Sequence, residues 1–237
     1  MTLPPRGRPS GGYLLAALVA VILVGGQLTS CSAVRNGFQA RSGPVILRAA
    51  GSALEAAKTF EIQADSTTSG RPVSLTFEIG GPNVGEGSFV SSGLSFEAEE
   101  LRGLDYFRSR TLWAQVGGTS LQSALGYRWV YVPAKSSTAA ELTAAFRSLT
   151  SPALLAGQLT GRVASAVRGR ATTFRGRPVV AVTEPGGGTV YVATTGKPYP
   201  LRWVQSSQSR VTFSRFGRDF RITAPKGALD LTAILAS

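Results

Sequence analysis

The sequence predicts an α+β fold: a single curved antiparallel sheet of about ten to twelve strands, with an N-terminal helix and short middle helices covering its concave face. Three observations predict it. Apolar residues are spaced helically at first and alternate with polar ones from Phe60 onward, a switch from a 3.6-residue to a 2-residue period. Glycine-rich or Gly-Arg-Pro turns separate the alternating runs, as in antiparallel hairpins with one wet face. No internal repeat and no long linker divides residues 44–237, so one domain accounts for all of them.

The elements follow in order. Ser42-Gly43-Pro44 supplies a capping residue and a proline in the first turn of a helix. From there to Lys58, the polar residues Arg48, Ser52, Glu55 and Lys58 form one stripe. Ile46, Ala49, Ala50, Ala53, Leu54 and Ala57 cover the rest, so the helix lies on something apolar. Phe60, Ile62 and Ala64, then Val73, Leu75, Phe77 and Ile79, then Leu94, Phe96 and Ala98 alternate with polar residues and predict three strands. Further strands are expected at Tyr106–Arg108, Leu112–Val116, Arg128–Val132, Val163–Phe174, Val179–Glu184, Thr189–Ala193, Leu201–Gln205, Val211–Phe216 and Phe220–Thr223. Helical signals return at Thr119–Leu125, closed by Gly126, at Thr138–Glu141 with capping-box spacing, and at Ser151-Pro152 through Leu155.

Ahead of this domain, residues 1–12 carry Arg6 and Arg8 without an acid, and an apolar run of about twelve residues follows from Tyr13 to Val24. A membrane span needs roughly 20 apolar residues, so a basic start, a short apolar stretch and then small residues predict a secretory leader over 1–30. Leu28-Thr29-Ser30-Cys31 resembles the bacterial lipobox. That resemblance implies cleavage before Cys31, diacylglycerol on its thiol, and an acyl chain such as palmitate on the new amino terminus. Cys31 is the sole cysteine, so the chain has no internal disulfide. Each buried methylene contributes about 0.8 kcal/mol, and two or more acyl chains anchor stably. The expected location is therefore the extracytoplasmic face of a cell membrane. Residues 31–43 read as the lipidated start and a tether, whose Ser32–Gly43 part spans roughly 40 Å when extended.

The formal charge of +12 is unevenly spread. Residues 31–141 sum to zero, whereas residues 142–218 hold eleven basic side chains and one acid, Glu184. Arg162, Arg168, Arg170, Arg175 and Arg177 are the densest part. They fit either a surface for anionic headgroups or a solvated strand face in an arginine-rich chain.

The carboxyl half carries a family resemblance. Thr189-Val-Tyr-Val-Ala-Thr-Thr-Gly-Lys-Pro-Tyr-Pro-Leu201, Val211-Thr-Phe-Ser-Arg-Phe-Gly217 and Ile222-Thr-Ala-Pro225 are similar to the ends of many actinobacterial lipoproteins. These resemble the LppX/LprG lipoproteins and, more distantly, the LolA-like carriers and periplasmic stress sensors that share a half-barrel. The resemblance implies a half-barrel whose cavity can hold acyl chains, and it brings no catalytic or ligand residue with it.

Catalysis is not expected. Without a histidine, no Ser-His-Asp or Cys-His site can form, and no phosphate-loop or dinucleotide pattern is present. No metal site and no cofactor is expected. Glu97 and Glu99, with Glu100 beside them, read as a solvated strand face, and Gly186–Gly188 as a hairpin turn. Phe60, Ile62, Leu75, Phe77, Leu94, Phe96, Trp113, Trp129 and Phe146 are the candidates to line a lipid cavity, against the alternative of a filled core. The expected function is a membrane-tethered module that binds or transfers a lipid, glycolipid or other hydrophobic molecule. The alternative is an interaction or stress-sensing module that turns the same half-barrel on a membrane-protein partner. Nucleic acid is not an expected partner.

Overall fold

The computed structural model describes residues 35–133, 144, 147, 151–161, 163–186 and 188–236. The element order is α1 (Gly43–Glu55), β1 (Phe60–Thr68), β2 (Arg71–Gly81), β3 (Val84–Ser91), β4 (Leu94–Leu101), β5 (Leu104–Arg108), α2 (Thr111–Leu125), β6 (Trp129–Pro133) and α3 (Pro152–Thr160). There follow β7 (Val167–Phe174), β8 (Arg177–Glu184), β9 (Gly188–Ala193), β10 (Pro200–Ser206), β11 (Ser209–Ser214), β12 (Leu229–Asp230) and α4 (Leu231–Ala236). The described strands form one open, curved sheet in the order β12-β6-β5-β4-β3-β2-β1-β11-β10-β9-β8-β7. Two meanders run away from each other and share the β1–β11 pair as their seam. Every pairing is antiparallel except that of β12 with β6. This is the predicted α+β half-barrel.

Register explains how one face became the core. Ile62 on β1 stands opposite Phe77 on β2 and Phe213 on β11, and Phe107 on β5 stands opposite Ala98 and Val130. Because side chains alternate, this row shares one face, called inner here, with Phe60, Ile79, Val132, Val182 and Val190. Helix α1 lays Ile46, Leu47, Ala50 and Leu54 into the same core, each fully buried. Its other neighbour is α3, which approaches closely at Gly51, where a Cβ would stand 2.6 Å from Thr160 Cγ2. Ser42 caps α1 through its backbone, with Pro44 in the first turn. Ser151 caps α3 with its hydroxyl, 3.4 Å from the Leu154 amide.

Several expectations are corrected, among them the strand Val163–Phe174, whose first residues Val163–Ser165 form a 3-10 turn so that the strand begins at Val167. Leu112–Val116 is helix, not strand. Leu112 and Trp113 are consecutive and both buried, as a helical stripe requires, and the Leu112 amide donates to Ser109 Oγ at 2.9 Å. Helix α2 runs on to Leu125 across a kink at Gly117-Gly118, whose backbone leaves helical geometry. Phe220–Thr223 forms no strand, although Phe220 is buried. Conversely β3 is a full strand that alternation missed. Its inner-face positions Gly85 and Gly87 are empty of side chain so that the Phe77 ring can lie over them, and a Cβ there would stand 2.3 and 2.4 Å from that ring. The Thr138–Glu141 helix start lies outside the described residues.

Candidate inner-face cavity

The inner face is not packed evenly. Around α1 and α2 the core is filled: Phe60, Phe107 and Trp113 are all below 2 % exposed. Among the described residues, two gaps lie between helices and sheet. The larger, about 430 Å³, lies between the end of α1, the β2–β3 turn and the start of α3. Phe77, Ala57, Val84 and Leu154 supply its apolar wall, and Lys58, Glu100 and Arg147 its charges. The smaller, about 210 Å³, lies where α3 crosses β1, β2, β10 and β11, and is lined by Ile62, Leu75, Phe89, Leu155, Trp203 and Phe213.

Beside the larger gap sits an arrangement the sequence did not disclose. Glu100 on β4 pairs in register with Asp105 on β5, so both carboxylates point to the inner face, where they are 6 % and 0 % exposed. Arg147 is their shared cation, with nitrogen–oxygen distances of 3.9 Å to Glu100 and 3.6 Å to Asp105. Among the described residues, neither Asp105 oxygen has a hydrogen-bond donor. Burial pushes Asp105 up to about 6, against the pull of Arg147, and Glu100 adds to the rise. Burial likewise raises Glu100.

On the outer face the register aligns Glu61, Glu78, Glu86 and Glu99 across β1 to β4. Like charges directly opposite one another repel. Arg215 relieves one end, donating to Glu61 at 2.8 Å and also to Glu78. At the other end Arg108 pairs with Glu97, stacks over Tyr127 and Trp129, and leaves Glu99 less well served. Burial, and then the neighbouring Glu86, push Glu99 up to about 7. The expected solvated face is therefore half right: Glu97 and Glu99 are half-buried on the outer face and Glu100 is buried on the inner one. Among the described residues, no cluster of three acids, histidines or cysteines is arranged to hold a metal ion.

The predicted lining residues divide. Phe77 lines the larger gap, and Ile62 and Leu75 the smaller. Phe60 and Trp113 are filled core, and Leu94 and Phe96 pack half-buried against it. Trp129 is corrected: β6 turns Val130 and Val132 inward, so Trp129 faces outward beneath Arg108. Of the arginines, Arg168, Arg170, Arg175 and Arg177 are exposed on and beside β7. Cys31, Phe146 and Arg162 lie outside the described residues. Sequence reasoning missed Trp203 and Phe89 as lining residues and Asp105 as a buried acid. The signal for Asp105 was faint: one acid in the short run Leu104–Arg108, with aromatics following it.

Among the described residues, no helix is long and apolar enough to cross a membrane. No protein-family model and no curated protein sequence matches the chain. Among solved structures, it is similar to the crystal structure of LprF from Mycobacterium bovis, with 14% identity, a TM-score of 0.49, and coverage of 78% of this chain and 97% of that one.

Proposed function

We propose that this chain is an extracytoplasmic lipoprotein, acylated at Cys31 and held on the outer face of a membrane, that binds or hands over a lipid or similar amphiphile through its inner-face cavities. One observation carries the binding part. The helices leave room over an apolar sheet face, and the larger gap, about 430 Å³, falls in the size range of small-molecule sites. Its lining suits an amphiphile, with Phe77, Val84 and Leu154 for a chain and Lys58, Glu100 and Arg147 for a polar end. No catalytic role is part of this reading.

Native mass spectrometry of the full chain, taken from its own membranes, tests the binding. Non-covalent lipid in near-stoichiometric amount is expected. Less is expected from Ala57→Leu and Ala64→Leu, which add side chain to the walls of the two gaps. Lipid-free protein from native membranes would overturn the binding reading and favour partner contact instead. Anchoring is tested separately: radiolabelled palmitate should enter the wild-type chain and not Cys31→Ala.

A further inference from the structure

Part of the segment expected to be a free tether is docked. The Asn36 amide donates to the Thr194 carbonyl at 2.9 Å, and its side-chain amide donates to the carbonyls of Ala193 and Gly196, both at 3.0 Å. Arg35 forms a β-bridge with Thr195, and Arg168 reaches the Gln39 carbonyl at 2.8 Å. Three residues, Ser32 to Val34, separate Cys31 from Arg35. Four steps of extended chain reach at most roughly 14 Å, so a lipid on Cys31 ties the bilayer to this end of the sheet and not to the domain at large.

That end has the chemistry of a headgroup contact. The β7–β8 turn carries Arg175 and Arg177, and the β9–β10 turn carries Lys197, all exposed. The Thr194 amide donates to the Pro178 carbonyl at 3.0 Å, which holds the two turns side by side with Arg35. Arg168 and Arg170 continue the charge along β7, whose residues up to Thr173 are exposed. Between residues 142 and 218 the only acid is Glu184, which is 4 % exposed. Phe174 and Tyr191 stack beneath the cations, with Arg175 and Arg202 each 5.5 Å from the Phe174 ring. Aromatic rings with basic neighbours are what a bilayer interface selects. The glutamate row lies on β1 to β4, with at least three strands between it and β8. The sheet is therefore polarised along its own strand order, and an anionic surface attracts one end and repels the other.

We infer that the β7–β9 end of the sheet is the membrane-facing surface, seated on anionic phospholipid headgroups by Arg35, Arg175, Arg177 and Lys197. This rests on the anchoring proposed above and adds the orientation. The test uses the full acylated chain in vesicles of phosphatidylcholine with 30 % phosphatidylglycerol, about one charged lipid in three, a composition chosen to give a strong surface potential. A fluorophore is placed at Lys197→Cys or, as a far-side control, at Ser92→Cys in the β3–β4 turn, and quenched by a headgroup-bound quencher. Quenching at 197 is expected to exceed that at 92 by roughly threefold or more, and Arg175→Glu with Arg177→Glu is expected to at least halve the excess. Equal quenching at both positions, or an excess indifferent to the charge reversal, overturns the inference while anchoring stands. A chain that leaves the vesicles and carries no acyl group overturns both.

Discussion

Replacing Asp105 by Asn tests the inner-face electrostatics directly. Asp105 is 0 % exposed, has among the described residues one cation at 3.6 Å and no hydrogen bond, and its carboxyl is raised from 3.8 to about 6. Between those two pH values the folded chain keeps a proton that the unfolded chain has lost. Stability from this group is therefore complete only below about pH 4, falls as the pH rises towards 6, and is flat beyond. The difference of about two pH units corresponds to ~3 kcal/mol, an upper bound because the denatured chain retains some structure. Asn is nearly the same size and has no charge to desolvate, so it removes this dependence. Urea unfolding of both chains at pH 4, 5, 6 and 7 measures it. The variant's advantage should grow by ~2–3 kcal/mol between pH 4 and 7, with unchanged m-value. Reading the difference between the two chains cancels the raised acids of the outer face, Glu86 and Glu99, and carrying Glu100→Gln in both chains removes the one that couples to Asp105. A variant whose disadvantage widens over that range would refute the reasoning, because Asp105 would then be a well-paired carboxylate.

Other outcomes follow from the same structure. Gly87→Val should cost ~1–3 kcal/mol or more, since its Cβ would meet the Thr76 carbonyl oxygen at 2.2 Å and the Phe77 ring at 2.4 Å; an unchanged melting temperature would contradict the close approach. Leu54→Ala, at a fully buried site under α1, should cost ~2–5 kcal/mol by chemical denaturation, and a loss below 1 kcal/mol would mean that α1 is not bound to the sheet as described. Carbon-13 NMR of the side-chain carboxyls should find Glu99 titrating near 7, and Glu86→Gln should lower that midpoint. A Glu99 midpoint in the ordinary carboxylate range would dissolve the outer-face row.

Much of the architecture was legible because a half-buried strand writes its register into alternation. Helix α1 and strands β1, β2 and β4 could be read residue by residue for that reason. What escaped reading was set by long-range partners. β3 offers glycine where alternation wants a large apolar residue, because the missing volume is supplied by Phe77 from the next strand. Leu112–Val116 imitates a strand because Gly117-Gly118 cuts the helical stripe short. The cavities were illegible for a related reason. Lining and filling use the same residues, and only the spacing of α3 from the sheet separates Ile62, beside a gap, from Phe60, within the filled core. Glu100 looked like its neighbours Glu97 and Glu99, and one step of the strand's period sends it to the opposite face.

An open sheet has two raw margins, and unpaired strand margins invite other chains to add on and build fibrils. Among the described strands, neither margin offers a flat template. Beyond β6 the rim is finished by the two-residue β12, after which Asp230 turns the backbone into α4 by accepting from the Thr232 amide at 2.9 Å. At β7 the pairing slips between Arg168 and Ala171, and the guanidinium groups of that strand repel a like neighbour. An unclosed barrel can thus persist without polymerising through its margins.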